Sequence, residues 1–249
     1  MTNQVYLHPN GQIPAYEWNF SDVNPPVHCK ATWQIYVMDK FLHGTGDRAF
    51  LESMFHKLLM NFTWWVNRKD DLGNNVFEGG FLGLDNIGVF DRSAPLPTGG
   101  MLEQADGTSW MAMFCLDMLT IAVELALENP IYEELACKFF EHFVYIASAM
   151  DRIGIHNDEL WDEEDGFYYD VLRLPGGESM RLKVRSMVGL VPLFATAVFS
   201  SDILERLPRV KKRVVHFAEL NADLMTQICN PAEVGVAGRL LMSPVNRQK

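Results

Sequence analysis

SWMAMFCLDMLTIAVELAL, residues 109–127, is apolar almost all the way round, while IYEELACKFFEHFVYIASAM, residues 131–150, keeps a charged face with Glu133, Glu134, Lys138 and Glu141. A helix apolar on every side has to be buried, and a striped one covers it from outside. The two stretches therefore predict an inner and an outer helix joined by a short turn, an αα-hairpin. Towards the N-terminus the pattern recurs. Phe50, Leu51, Met54, Phe55, Leu58, Leu59, Phe62, Trp65 and Val66 follow helical spacing over residues 47–67, with Asp47 placed to cap the start. Residues 28–42 are helical as well, and His43-Gly44-Thr45-Gly46 makes the turn between them. Towards the C-terminus, KVRSMVGLVPLFATAVF, residues 183–199, reads as a third buried helix kinked at Pro192, followed by an amphipathic helix through 214–225. Helical character is expected to run on to the final MSPVNRQK. The predicted fold class is thus all-α, one domain over residues 1–249 with helical pairs at about 28–67, 109–150 and 183–226.

Connections within pairs are short, but those between pairs, residues 68–108 and 153–182, are long. In stacked hairpins such connections emerge together where the inner helices begin, and loops of this length in a compact domain are functional or disordered. Phe77, Phe81, Phe90, Trp161, Phe167, Tyr168 and Tyr169 argue against disorder, and FYYDVL with SMRLKV about a Pro-Gly-Gly turn predicts a β-hairpin in the second loop. One rim is expected to carry the chemistry.

Composition limits what that chemistry is. The chain has 249 residues, 48% hydrophobic, with a net charge of -11, so nucleic acid and anionic membrane are expected to be repelled and a neutral ligand suits it better. The basic run Arg206, Arg209, Lys211, Lys212 and Arg213 reads as a solvated helix face. No uninterrupted apolar run reaches the roughly 18 residues of a membrane span, and the N-terminus lacks the pattern of a secretion signal. Cys29, Cys115, Cys137 and Cys229 show no CxxC spacing, which points to a reducing cytoplasm. Zinc, EF-hand, Walker A, GxSxG and GxGxxG patterns are missing, so no metal or cofactor is called for.

The richest rim segment is EGGFLGLDNIGVFDRSAPLPTGGMLEQADGTSW, residues 78–110, with the carboxylates Glu78, Asp85, Asp91 and Glu103 among glycines and Asp106 leading into the inner helix. Leu82, Leu84 and Ile87 around Asp85 would disfavour its charged form, and a protonated acid is what cleavage of a glycosidic bond requires. The alternative is that these acids cap helices and bond loop amides, Asp106 above all. Trp18, Trp161 and Tyr168 are candidate platforms for a sugar ring or, equally, loop anchors, and Arg92 and Arg185 either bind a substrate hydroxyl or hold a loop carboxylate.

GLDNIGVFDRS, residues 83–93, resembles the motif around the general acid of glycoside hydrolase family 63, in which an Asp follows Gly-x and precedes Asn. HPNGQIPAYEWNFSDVNPPVH, LWDEEDGFYYDVL and RLKVRSMVGLVPLFA carry the resemblance over nearly the whole chain. It implies an (α/α)6 toroid of six hairpins, of which about three are present. It also implies hydrolysis of an α-glucoside or α-mannoside with inversion, Asp85 being the acid. The substrate is expected to be an oligosaccharide or small glycoside held by Trp18, Asp22, Asn24, Asn86, Asp91, Arg92, Glu103 and Trp161. The general base, a Glu, is expected beyond Lys249, making the chain roughly half a ring. Its uncovered helical faces predict self-association, which sedimentation would report, and the alternative function is a carbohydrate-binding remnant without turnover.

Overall fold

A computed structural model describes residues 7–16, 19–67, 77, 84, 86–92, 94–151, 159–226, 228, 233–246 and 249. The elements run β1 (Pro14–Tyr16), β2 (Asn19–Val23), α1 (Val27–His43), α2 (Arg48–Val66), β3 (Met101–Glu103), α3 (Ala105–Ala126) and α4 (Tyr132–Asp151). Then come β4 (Trp161–Asp162), β5 (Phe167–Tyr168), β6 (Asp170–Arg173), β7 (Ser179–Leu182), a 3-10 helix at Met187–Phe194 and β8 (Ala197–Ser200). The described chain closes with α5 (Ile203–Arg206), α6 (Pro208–Leu220), α7 (Ala222–Met225), a 3-10 turn at Val236–Gly238 and β9 (Arg239–Met242).

The α3–α4 hairpin is the centre. Along α3 only Thr120 and Glu124 escape full burial, as an all-apolar helix demands. By length and composition α3 would also cross a bilayer, yet 89% of that window is buried inside the protein, as in a core helix. The α1–α2 hairpin leans on it. Asp47 caps α2 by accepting a hydrogen bond from the Phe50 amide at 2.9 Å, and α1 stops at Gly44, whose φ of 81° suits glycine. Phe62 of α2 meets Phe114 and Phe139 edge-on, with centroids 5.3 and 5.0 Å away, so α2 locks α3 to α4. Lys30 of α1 reaches the buried Asp117 at 3.2 Å, and burial pushes that carboxyl up to about 6 against the pull of Lys30.

The third pair differs from expectation. Residues 183–199 do not form one helix: the 3-10 helix occupies eight of them and β8 follows, pairing with β9. Pro192 lies inside the 3-10 helix, and a Cβ on Gly189 would collide with the Tyr168 carbonyl oxygen, so this segment is pressed flat against β5. The helical character expected at MSPVNRQK is not found among its described residues, Met242 instead closing β9. On the other side, the amphipathic helix expected over 214–225 starts earlier, as α6 at Pro208, and breaks at Asn221 before α7. Its first turn is capped from α4, because the buried Glu133 accepts the Val210 amide at 3.3 Å rather than facing water. The basic residues Arg209, Lys212 and Arg213 are exposed on α6, with Arg213 paired to Glu141 at 2.9 Å.

The fold is therefore helical with several small sheets, and the all-α expectation needs that amendment. Of the segments predicted to pair, FYYDVL and SMRLKV, residues 170–182 form the hairpin, Asp170 opposite Leu182, and gain β3 as a third strand, while Phe167–Tyr168 pairs with β4 instead. Among the described residues, apolar surface stays uncovered on α1 and beside α6, among other places. Ile35, Met38, Phe41 and Leu42 line an exposed face of α1, and a groove lined by Leu119, Phe140, Val214, Met225 and Met242 opens between α3–α4 and α6–α7.

Candidate functional site

The rim is built where α3 begins and α4 ends, since the two helices run antiparallel through the hairpin. The sheet β3–β6–β7 covers this end. Gly100 lets β3 come close, because a Cβ there would collide with the Arg173 carbonyl oxygen. Glu103, almost wholly buried, takes a two-pronged hydrogen bond from Arg173, both arms 3.1 Å.

Behind the sheet lies a buried charge cluster. Arg92 donates from Nε to Asp170 at 2.7 Å and from Nη1 to the Leu84 carbonyl at 2.8 Å, and its Nη1 and Nη2 both reach Asp106. Nη2 also meets Asp170 at 3.2 Å. All five N–H groups of the guanidinium are thereby engaged. Asp170 in turn accepts the Ala105 amide at 2.9 Å, capping α3 from a neighbouring strand. Burial pushes the Asp170 carboxyl up, with Arg92 pulling the other way; burial also works against the Arg92 cation, but Asp106 and Asp170 more than offset it and raise its pKa. The expected capping role of Asp106 thus belongs to Asp170, and Asp106 spends its charge on Arg92.

Arg92 was a candidate for substrate contact; its donors are all spent inside the protein, and it anchors the loop 84–92 to the start of α3. Asn86 and Asp91 are exposed on that loop. Beside them a narrow crevice is lined by Ile87, Phe90, Arg92, Tyr168, Asp170 and Ser186 among others. Asp85 and Trp18 lie outside the described residues, as does Cys229; of Asp22 only its place in β2 is described. Leu84 and Asn86, on either side of Asp85, are buried and exposed respectively.

Asn24 belongs to a separate small crevice with Ile13, His28, Asn61 and Trp65. His28 there is neutral: burial pushes it down to about 4, and its Nε2–H donates to Asn61 Oδ1 at 3.0 Å. Trp161 is not an open platform either, being 7% exposed and packed on Tyr168 with centroids 4.8 Å apart. On the outer edge of the 162–166 turn, Lys183 binds Asp162 at 2.9 Å and Asp165 at 3.1 Å. Arg185 holds Asp165 at 3.2 Å and the Tyr169 hydroxyl at 3.1 Å, the loop-carboxylate role rather than a substrate one. Among the described residues no group of three His, Cys, Asp or Glu is arranged to hold a metal ion. Asp170 and Asp151 escaped the sequence reading. The signal for Asp170 was an acid among the apolar residues of FYYDVL, a strand buried at successive positions, where it must find a cation.

No protein-family model matches the chain. It is 51% identical over its whole length to an uncharacterized protein of Saccharomyces cerevisiae, of which it spans 24%. An uncharacterized protein of Borreliella burgdorferi is 22% identical over 89% of the chain and 40% of that protein. The chain thus covers under half the length of either relative. Among solved structures, the family 63 mannosylglycerate hydrolase of Thermus thermophilus in complex with Tris superposes with a TM-score of 0.51 at 17% identity, over 86% of this chain and 64% of that one. The same enzyme in complex with glucose gives 0.51 at 18%, over 88% and 62%. At such identity the likeness speaks for the fold: the chain has a glycosidase-like fold of the family 63 kind.

Proposed function

We propose that this chain is the acid-bearing part of an enzyme that hydrolyses α-glucosides or α-mannosides with inversion. Asp85 protonates the departing glycosidic oxygen while a second carboxylate activates water on the opposite face of the sugar. In a protein as long as the yeast relative, that second carboxylate would come from the part these 249 residues do not span. One observation carries the reading: Arg92 grips the carbonyl of Leu84, the residue just before Asp85, and ties it to the start of the inner helix. A general acid has to be held in place, and a buried guanidinium with every donor spent is a means of holding it. Glucose in the structural neighbour supports a hexose as the class of ligand. Asn86 and Asp91, exposed on the same loop, are the nearest candidates for hydroxyl contacts, and self-association through the apolar face of α1 remains part of the proposal.

The test is made in a protein of the full relative's length, assayed for release of glucose or mannose from α-glycosides. Asp85→Asn is expected to lower kcat by about 10³, within the usual reach of acid catalysis, with circular dichroism unchanged. Near-normal turnover in a folded variant overturns the assignment.

The second reading, sugar binding without turnover by this chain, is favoured by a different observation. Glu103, Asp106 and Asp170 are engaged by arginines, and Asp162 and Asp165 by Lys183, so these rim carboxylates are already spent on cations. Calorimetric titration of the 249-residue chain with α-glucosides and α-mannosides separates the two: heat of binding without product supports the remnant.

A further inference from the structure

A second buried cluster lies at the same end of the α3–α4 hairpin and has no part in the proposed reaction. Asp151 closes α4, and its side chain is 4% exposed. The ammonium group of Lys249 touches that carboxylate and sits 5.7 Å from the centroid of the Trp161 ring and 6.0 Å from that of Tyr168. A carboxylate and two electron-rich ring faces converging on one cation form an aromatic cage of the kind that recognises ammonium groups.

The cage is unsaturated in hydrogen bonds. Lys249 and Asp151 are spent on each other as an ion pair, whereas the Trp161 Nε1–H and the Tyr168 hydroxyl are buried without a hydrogen-bond partner among the described residues. Buried polar groups left unpaired cost stability, so a cluster evolved only to hold the fold would satisfy them, as the cluster around Arg92 does. A donor from tryptophan, a donor-acceptor from tyrosine and an anion lie around one cation site; together they match a ligand that carries both an ammonium group and hydroxyls.

We propose that Asp151, Trp161 and Tyr168 form a binding site for a hydroxylated primary amine, an amino sugar or amino alcohol, and that Lys249 occupies it as the chain's own competing ligand. The ammonium of the ligand takes the place of the Lys249 Nζ on Asp151 and the two rings, and its hydroxyls satisfy Trp161 Nε1–H and Tyr168 OH. Burial pushes Asp151 up to about 6 against the pull of Lys249, with Glu159 and Glu163 adding to the rise, so the carboxylate is ionised and ready for a cation at neutral pH. Val245, four positions before Lys249, packs against the cluster that contains Trp161 and Tyr168.

The experiment is calorimetric titration of the whole chain at pH 7.5 with glucosamine, and with glucose as its uncharged counterpart. Removing the competitor by Lys249→Met is expected to tighten glucosamine binding about tenfold or more relative to the unaltered chain, leaving glucose unchanged. Adding Asp151→Asn to that variant is expected to abolish the gain. Equal affinity for the two sugars in Lys249→Met, or a gain that survives Asp151→Asn, overturns the proposal. Should Lys249→Met not fold, Lys249→Gln serves in its place, with Trp161→Phe as the companion variant that keeps the ring and removes the N–H. Loss of affinity for glucosamine in that companion supports the site, and unchanged affinity argues against it.

Discussion

Two buried cations stand at the same end of one helical hairpin and are treated in opposite ways. Arg92 faces two carboxylates and a carbonyl, spends every N–H, and joins a loop, a helix start and a strand. Lys249 faces one carboxylate and two rings and leaves polar atoms without hydrogen bonds around it. Charge is tolerated in a protein interior when its hydrogen bonding is complete, and that completeness also makes the Arg92 cluster rigid. The incomplete cluster has capacity left over. Buried charge by itself therefore does not distinguish a fastening from a receptor, but the account of unspent donors and acceptors does.

The contrast breaks most visibly at Arg92. Arg92→Met leaves Asp106 and Asp170 facing each other without a cation, and a loss of about 3–5 kcal/mol is expected in urea unfolding. A loss below about 1 kcal/mol would mean that the cluster is no fastening. The pH dependence of stability sharpens the other side. Asp151, pushed up to about 6, holds its proton more tightly folded than unfolded, where a carboxyl titrates near 4. Stability owed to this group is therefore highest below pH 4, falls as pH rises from about 4 to 6, and stays lowered above that. Asp117, also pushed up to about 6, adds a slope of the same sign. Asp151→Asn should flatten the profile by roughly 2–3 kcal/mol between pH 4 and 7, and parallel urea-midpoint curves for the two proteins would refute it. The smallest effect belongs to the solvated pair on α6. Arg213→Ala, which cuts the exposed bond to Glu141, should cost about 0.2–1 kcal/mol, and thermal melts showing a larger loss would place that pair among the fastenings.

The hairpins α1–α2 and α3–α4 were legible because burial on one face writes a 3.6-residue period into the sequence, and Asp47 and Gly44 punctuate it. The 170–182 hairpin was legible from its β-prone residues in FYYDVL and SMRLKV and from the Pro-Gly-Gly turn between them. Residues 183–199 were not, since a continuous apolar run reads alike as buried helix, 3-10 turn or strand. Met187, Leu190, Leu193 and Phe194 prove exposed while Val188 and Val191 are buried, an arrangement decided by contact with β5 rather than by local pattern. At the site, Arg92 and Glu103 were found as residues but not as roles. A charge that binds substrate and one that binds a neighbouring strand look the same until its partner, 78 positions away in the case of Asp170, is brought beside it. Asp151 gave no signal because its cage is assembled from α4, two short strands and Lys249, which only the fold gathers.

That distance has a kinetic meaning. Helices α3 and α4 are neighbours in the chain, whereas β3 pairs with β6 across 68 positions, from Glu103 to Val171. Closing so long a loop unaided is entropically slow, but the finished hairpin already holds both ends together and shortens the search. The sheet and the Arg92 cluster are thus dependents of the hairpin: damage to the apolar seam between α3 and α4 would be felt as a delayed or missing rim, even when every rim residue is intact.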